Sequence, residues 1–134
     1  MNESSRFVTY EQDGVVVVHP RREVLDLTVA KEFTEALDNA ATTEGAILVD
    51  LANVTYLDSV IISVLVKRYV AQRQIGKRLI LFGLQEYVED LLKSTGLLNV
   101  MDIRHDLKSA LKLAPKPVDE AEIATYSRTD DADM

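Results

Sequence analysis

Asp58 and Ser59 stand together where an apolar segment gives way to a helix. A carboxylate or a hydroxyl at that place can cap the helix by accepting a hydrogen bond from a free N–H of its first turn. A serine there is also a favourable phosphate acceptor, because those N–H groups and the positive end of the helix dipole stabilise an anion. Phosphate on Ser59 would add up to about two negative charges and three acceptor oxygens to one patch of surface, leaving the fold intact. Advancing the following helix by about 100° per residue puts Ile62, Leu65, Val66 and Tyr69 on one arc, the expected core face. Val60 and Val64 fall opposite with Ser63, Lys67, Ala71 and Gln74, and Ile61 falls at the margin. Apolar residues on an outer arc mean either packing under a neighbouring loop or a docking surface, and their place around Ser59 favours docking.

Other chemistries fail on residue type or spacing. The five glycines are isolated, so neither Gly-x-Gly-x-x-Gly nor a Walker-type loop is present. Ser59, His105 and Asp58 contain the types of a hydrolase triad. Ser59 lacks the Gly-x-Ser-x-Gly elbow, however, and Asp58 is its neighbour rather than an orienter of histidine. Asp50 ends a buried strand as a phosphoacceptor aspartate would, but the first parallel strand, ending at Val18, runs into His19-Pro20 instead of metal-binding acids. There is no cysteine, and the two histidines, His19 and His105, lie far apart. The expectation is a binding protein with no catalytic residue, metal or cofactor.

The elements that must position Ser59 follow from periodicity. Phe7 to Tyr10 and Val15 to Val18 read as a hairpin turned at Gly14. Thr28 can cap a helix with Val29, Phe33, Ala36, Leu37 and Ala40 on one face, and Gly45, past its end, suits a left-handed turn. Ile47-Leu48-Val49 and Leu79-Ile80-Leu81-Phe82 are continuous apolar strands of the kind buried in parallel sheets. Between them the Ser59 helix runs to Gln74 and is ended by Gly76. Tyr87, Val88, Leu91 and Leu92 mark a third helix, Val100 to Ile103 a last strand, and Leu107 to Leu113 a final helix. The order β-β-α-β-α-β-α-β-α implies an α/β domain with a mixed, mostly parallel sheet and an antiparallel N-terminal hairpin.

The bulk numbers agree with one domain of about 113 residues and a tail. Net charge is −7 over 134 residues, which works against nucleic-acid binding. The basic pairs Lys67-Arg68 and Lys77-Arg78, with Arg73, read as a solvated helix face and its exit. The longest apolar run, Val60 to Val66, is broken by Ser63 and too short to span a bilayer. The start, Met-Asn-Glu-Ser-Ser-Arg, lacks a signal peptide's apolar core, so a cytoplasmic protein is expected. Residues 114–134, with Pro115, Pro117 and six acids (Asp119, Glu120, Glu122, Asp130, Asp131, Asp133), read as an acidic disordered tail.

From Phe7 to Leu113 the chain resembles the STAS domains, a family that includes bacterial anti-sigma factor antagonists and the tails of sulfate transporters. Its carriers are Ile47-Leu-Val-Asp-Leu-Ala-Asn-Val-Thr-Tyr-Leu-Asp-Ser59, Gly76-Lys-Arg-Leu-Ile-Leu-Phe-Gly83 and Leu91-Leu-Lys-Ser-Thr-Gly-Leu-Leu98. The resemblance implies that Ser59 is phosphorylated by the partner, an anti-sigma factor that is also a serine kinase. The dephosphorylated form would capture that partner, and a PP2C-type phosphatase would restore it. Asp58 matches the acid beside the phosphoacceptor, and Asp26 resembles an acid near the same surface, or else is a loop residue or an extra helix cap. Asp26, Asp58, Ser59, Val60, Ile61, Ser63, Val64 and Lys67 are therefore the expected partner-binding residues. Members of the family often continue Asp-Ser-Ser-Gly-Leu-Gly, whereas this chain has Asp-Ser-Val-Ile-Ile-Ser, and Glu23 stands where glycine is common. The departures leave an alternative open, a non-switched scaffold or subunit of a stress-signalling or lipid-transport complex.

Overall fold

A computed structural model describes residues 6–118. The strands are β1 (Phe7–Gln12), β2 (Val15–Pro20), β3 (Val24–Leu25), β4 (Ile47–Asp50), β5 (Tyr56–Leu57), β6 (Leu79–Phe82) and β7 (Asp102–Arg104). The helices are α1 (Ala30–Ala40), α2 (Ser59–Gln74), α3 (Glu86–Ser94) and α4 (Leu107–Leu113), with a 3-10 turn at Leu27–Val29 leading into α1. Five strands form one sheet in the order β1-β2-β4-β6-β7, antiparallel between β1 and β2 and parallel elsewhere. No helix among the described residues is long and apolar enough to cross a membrane.

The hairpin closes on the two-residue loop Asp13-Gly14, both at positive φ, the turn whose twist matches the strands it joins. Each parallel crossover steps the chain the same way across the sheet. Helices α1, α2 and α3 therefore share one face, packing Phe33, Leu37, Ile61, Leu65, Val88 and Leu92 against Val16, Val18, Ile47, Val49, Leu79 and Leu81. On the other face α4 packs Ala110 and Leu113 against Val15, Val17, Leu48, Ile80 and Phe82.

The expected fold class stands, with local corrections. Thr28 is not the cap. Asp26 caps the 3-10 turn, and α1 begins after Val29 without a side-chain cap. Gly45 adopts no left-handed turn; a Cβ there would lie 1.9 Å from the Gly14 carbonyl oxygen, so close backbone approach demands the glycine. The strands β3 and β5 were not foreseen, since two residues each are too few to show a period.

Arg73 and Arg78 are not solvated. They are 5% and 9% exposed and share the carboxylate of Asp102, Arg73 at 3.1 Å and Arg78 at 2.9 Å. The Tyr69 hydroxyl donates to the Val100 carbonyl and accepts from Arg73 Nε, each at 2.6 Å. Arg78 also donates to the carbonyls of Lys116 and Pro117, and Ala114 and Val118 are buried. The packed body thus runs to Val118, past the boundary expected after Leu113, and the rest of the expected tail lies outside the described residues. Asp102→Ala withdraws the shared acceptor of two buried guanidinium groups. It is expected to cost about 3 kcal/mol, read as a lower urea midpoint at unchanged slope.

Candidate functional site

The site is built by the short β3–β5 pairing. Val24 aligns with Tyr56 and Leu25 with Leu57 in a parallel two-strand ladder. The Glu23 carbonyl accepts from Thr55 N–H at 2.8 Å, and the Leu25 carbonyl accepts from Asp58 N–H at 3.2 Å. Leu25 and Leu57 are buried beneath the ladder, while Val24 and Tyr56 are exposed on its outer side. Continuing that register brings Asp26 and Asp58, distant in sequence, to neighbouring positions at the ladder's end.

Asp58 joins the two segments. One carboxylate oxygen accepts from Ile61 N–H at 3.0 Å and caps α2; the other accepts from Leu27 N–H at 2.9 Å. Asp26 in turn accepts from the backbone N–H and the hydroxyl of Thr28. The Thr28 hydroxyl, and then its N–H, hold the Asp26 carboxyl below the usual aspartate range. Ser59 follows as the first residue of α2 and is exposed.

The structure divides the expected surface residues. Ser59, Ser63 and Lys67 follow one another at helical spacing of four and are exposed, as is Val60, at 40%. Ile61 is fully buried, so it belongs to the core and not to the margin of a patch. Val64 is half-buried against the core, bordering a groove with Thr34, Leu37 and Asp38 of α1, and so does not stand on an open face. Ile62 and Val66, expected in the core, are only partly buried, whereas Gln72 and Arg73 are buried. The apolar residues Val60, Ile61, Ile62, Val64, Leu65 and Val66 spread over most of the circumference of α2 beside the polar Ser59-Ser63-Lys67 line, too broad an arc for its rotation to be read from sequence.

Sequence reasoning missed Leu27, which is 66% exposed beside Asp26. Its position after the Asp26 cap was the available signal. It also missed the His19–Asp50 pair, His19 Nδ1 lying 3.0 Å from an Asp50 oxygen whose partner oxygen accepts from Ala52 N–H. This contact braces the loop that follows β4. His105 is exposed, and Asp58 spends its oxygens on backbone N–H groups rather than on a histidine.

Asp58→Ala is expected to lower stability by about 2 kcal/mol in urea unfolding and to speed amide exchange at both Leu27 and Ile61. Because the native Asp26 value is depressed, its stabilisation is present above the ordinary aspartate value of 3.8 and is lost as pH falls through the lowered one. Carboxyl NMR titration of Thr28→Val should return Asp26 toward that ordinary value.

Comparison with known proteins agrees with this geometry. A family model described as "STAS domain" matches residues 6–110. The anti-sigma-B factor antagonist of Listeria monocytogenes is 34% identical over 82 residues, which span 60% of this chain and 72% of that protein. A crystal structure of a Thermotoga maritima protein described as an anti-sigma factor antagonist superposes with a TM-score of 0.71 at 22% identity, covering 82% of this chain and 95% of that one. The Bacillus cell fate determinant SpoIIAA, in its phosphorylated form, superposes at 0.62 with 14% identity, covering 80% and 98%. With a family model spanning most of the chain and a shared architecture, this protein belongs to the STAS domain family.

Proposed function

We propose that this protein is an anti-sigma factor antagonist that captures an anti-sigma factor on the face around Ser59 and is released when that serine is phosphorylated. It acts by binding rather than by catalysis. The partner is an anti-sigma factor that is itself a serine/threonine kinase, a PP2C-type phosphatase reverses the switch, and the exchange takes place in the cytoplasm. The observation that carries this reading is the position of Ser59, exposed as the first residue of α2 beside the fixed carboxylates of Asp58 and Asp26.

The chemistry of the place supports it. The first N–H groups of a helix have no acceptor within its turns; the Asp58 carboxylate takes that of Ile61 and the Asp58 carbonyl that of Ile62, leaving those of Ser59 and Val60 to a phosphate. The added charge would stand next to two existing carboxylates and alter the face that a partner must cover. No buried group moves, so binding is lost while the fold is kept. The bulky run Val60-Ile61-Ile62 does not close this face, because Ile61 is fully buried and Ile62 partly so, and only Val60 of the three is exposed. Relatives named as anti-sigma factor antagonists, and a structural neighbour known in a phosphorylated form, give the same direction.

The test is incubation with the cognate anti-sigma factor and ATP, followed by intact-mass measurement and a binding titration. Wild type should gain one phosphoryl group and lose affinity for the factor, and Ser59→Ala should gain none. Stable capture of the factor with no mass gain would favour the non-switched scaffold.

A further inference from the structure

The Ser59 end of the molecule carries exposed apolar surface beyond α2. Leu27 is 66% exposed, the highest value among the described large apolar side chains. Its backbone is pinned on both sides, by Asp58 at its own N–H and by the Asp26 cap that precedes it. A side chain displayed on an already ordered segment costs little further entropy when a partner covers it. Val24, three residues earlier, is exposed beside its register partner Tyr56. The Tyr56 ring stacks on Tyr87 of α3 with centroids 5.5 Å apart, and both residues remain more than 40% exposed. Stacked tyrosines are rigid, amphipathic contact area of the kind enriched in interface anchors.

We infer that the partner's footprint runs from Ser59 across the β3–β5 ladder onto α3, with Leu27 and the Tyr56–Tyr87 pair as its apolar anchors. This rests on the reading of the Ser59 face as the surface that captures an anti-sigma factor, and it names where the capture is held. The occupant's chemistry follows from charge. Glu23 precedes Val24, Asp26 precedes Leu27, Asp58 precedes Ser59 and Glu86 precedes Tyr87. The anchors are thus interleaved with carboxylates. Arg21 and Arg22 line a polar hollow at the edge of the patch with Glu23, Asn53, Thr55 and Gln85, and Arg22 Nε donates to the Val24 carbonyl at 3.1 Å; the carboxylates of Glu23, Asp26, Asp58 and Glu86 still outnumber these two arginines and leave the patch acidic. The partner is a protein face with apolar sockets rimmed by lysine or arginine. A second copy of this chain fits poorly, because two-fold pairing of this patch sets its carboxylates against their own kind.

The experiment is calorimetric titration of the full chain with the purified cognate anti-sigma factor. Leu27→Ala and Tyr87→Ala should each weaken binding by about tenfold or more. Leu27→Lys should weaken it further by placing a positive charge against a basic rim. Ile75→Ala, which removes a comparably exposed side chain (62%) just beyond the other end of α2, should bind like wild type. Melting midpoints of the four variants should stay close to wild type, since each altered side chain is exposed. If Leu27→Ala and Tyr87→Ala both bind like wild type, the footprint lies elsewhere around Ser59 and the inference falls, while the antagonist reading stands. A wild-type chain that binds no cognate anti-sigma factor overturns both.

Discussion

Two backbone N–H groups, 31 and 3 residues from Asp58 in sequence, converge on its carboxylate, and the candidate site depends on that convergence. Capping alone would start α2 and leave the Leu27 segment to find its own place. Holding Leu27 alone would leave a helix end with an unmatched donor. Performed together by one charged group, the two bonds fix the β3 segment against the start of α2. Bonds to a charged acceptor are stronger than neutral ones, which suits a junction standing at the surface. Ser59, next in the chain, inherits a fixed position without being used to make it.

The ladder beneath that junction is small, two residues on each strand, yet its inner side chains, Leu25 and Leu57, are fully buried. Core packing under the strands therefore supplies the stability that so few hydrogen bonds could not. A mobile exposed segment would have to be ordered whenever a partner bound. Here the ordering entropy is met in folding, by a core that the protein forms in any case.

At the opposite end of α2 a different device operates. Asp102 gathers Arg73 from α2 and Arg78 from just before β6, and Arg78 reaches on to the carbonyls of Lys116 and Pro117. Buried guanidinium groups are tolerated only with such partners, so the contact ties helix, sheet and C-terminal segment into one unit. One end of α2 is thereby held by an internal polar network, while the other presents an unencumbered hydroxyl.

The amino-acid sequence alone determined the alternation of strands and helices, because buried runs such as Ile47-Leu48-Val49 and spaced apolar residues such as Phe33 and Leu37 announce their own partners. It also placed Asp58 and Ser59 at a helix start, since capping is a local matter of side-chain type. Tertiary structure decided what local chemistry could not. The rotation of α2, which buries Ile61 and half-buries Val64, was set by the sheet and α1, because an apolar arc that covers most of a helix does not say which part of it will be buried. The exposure of Leu27, the stacking of Tyr56 on Tyr87 and the burial of Arg73 and Arg78 all depend on residues far away in the chain. Sequence spacing carries information over a few turns of helix or one strand, and contacts made across tens of residues exist only once the chain has folded.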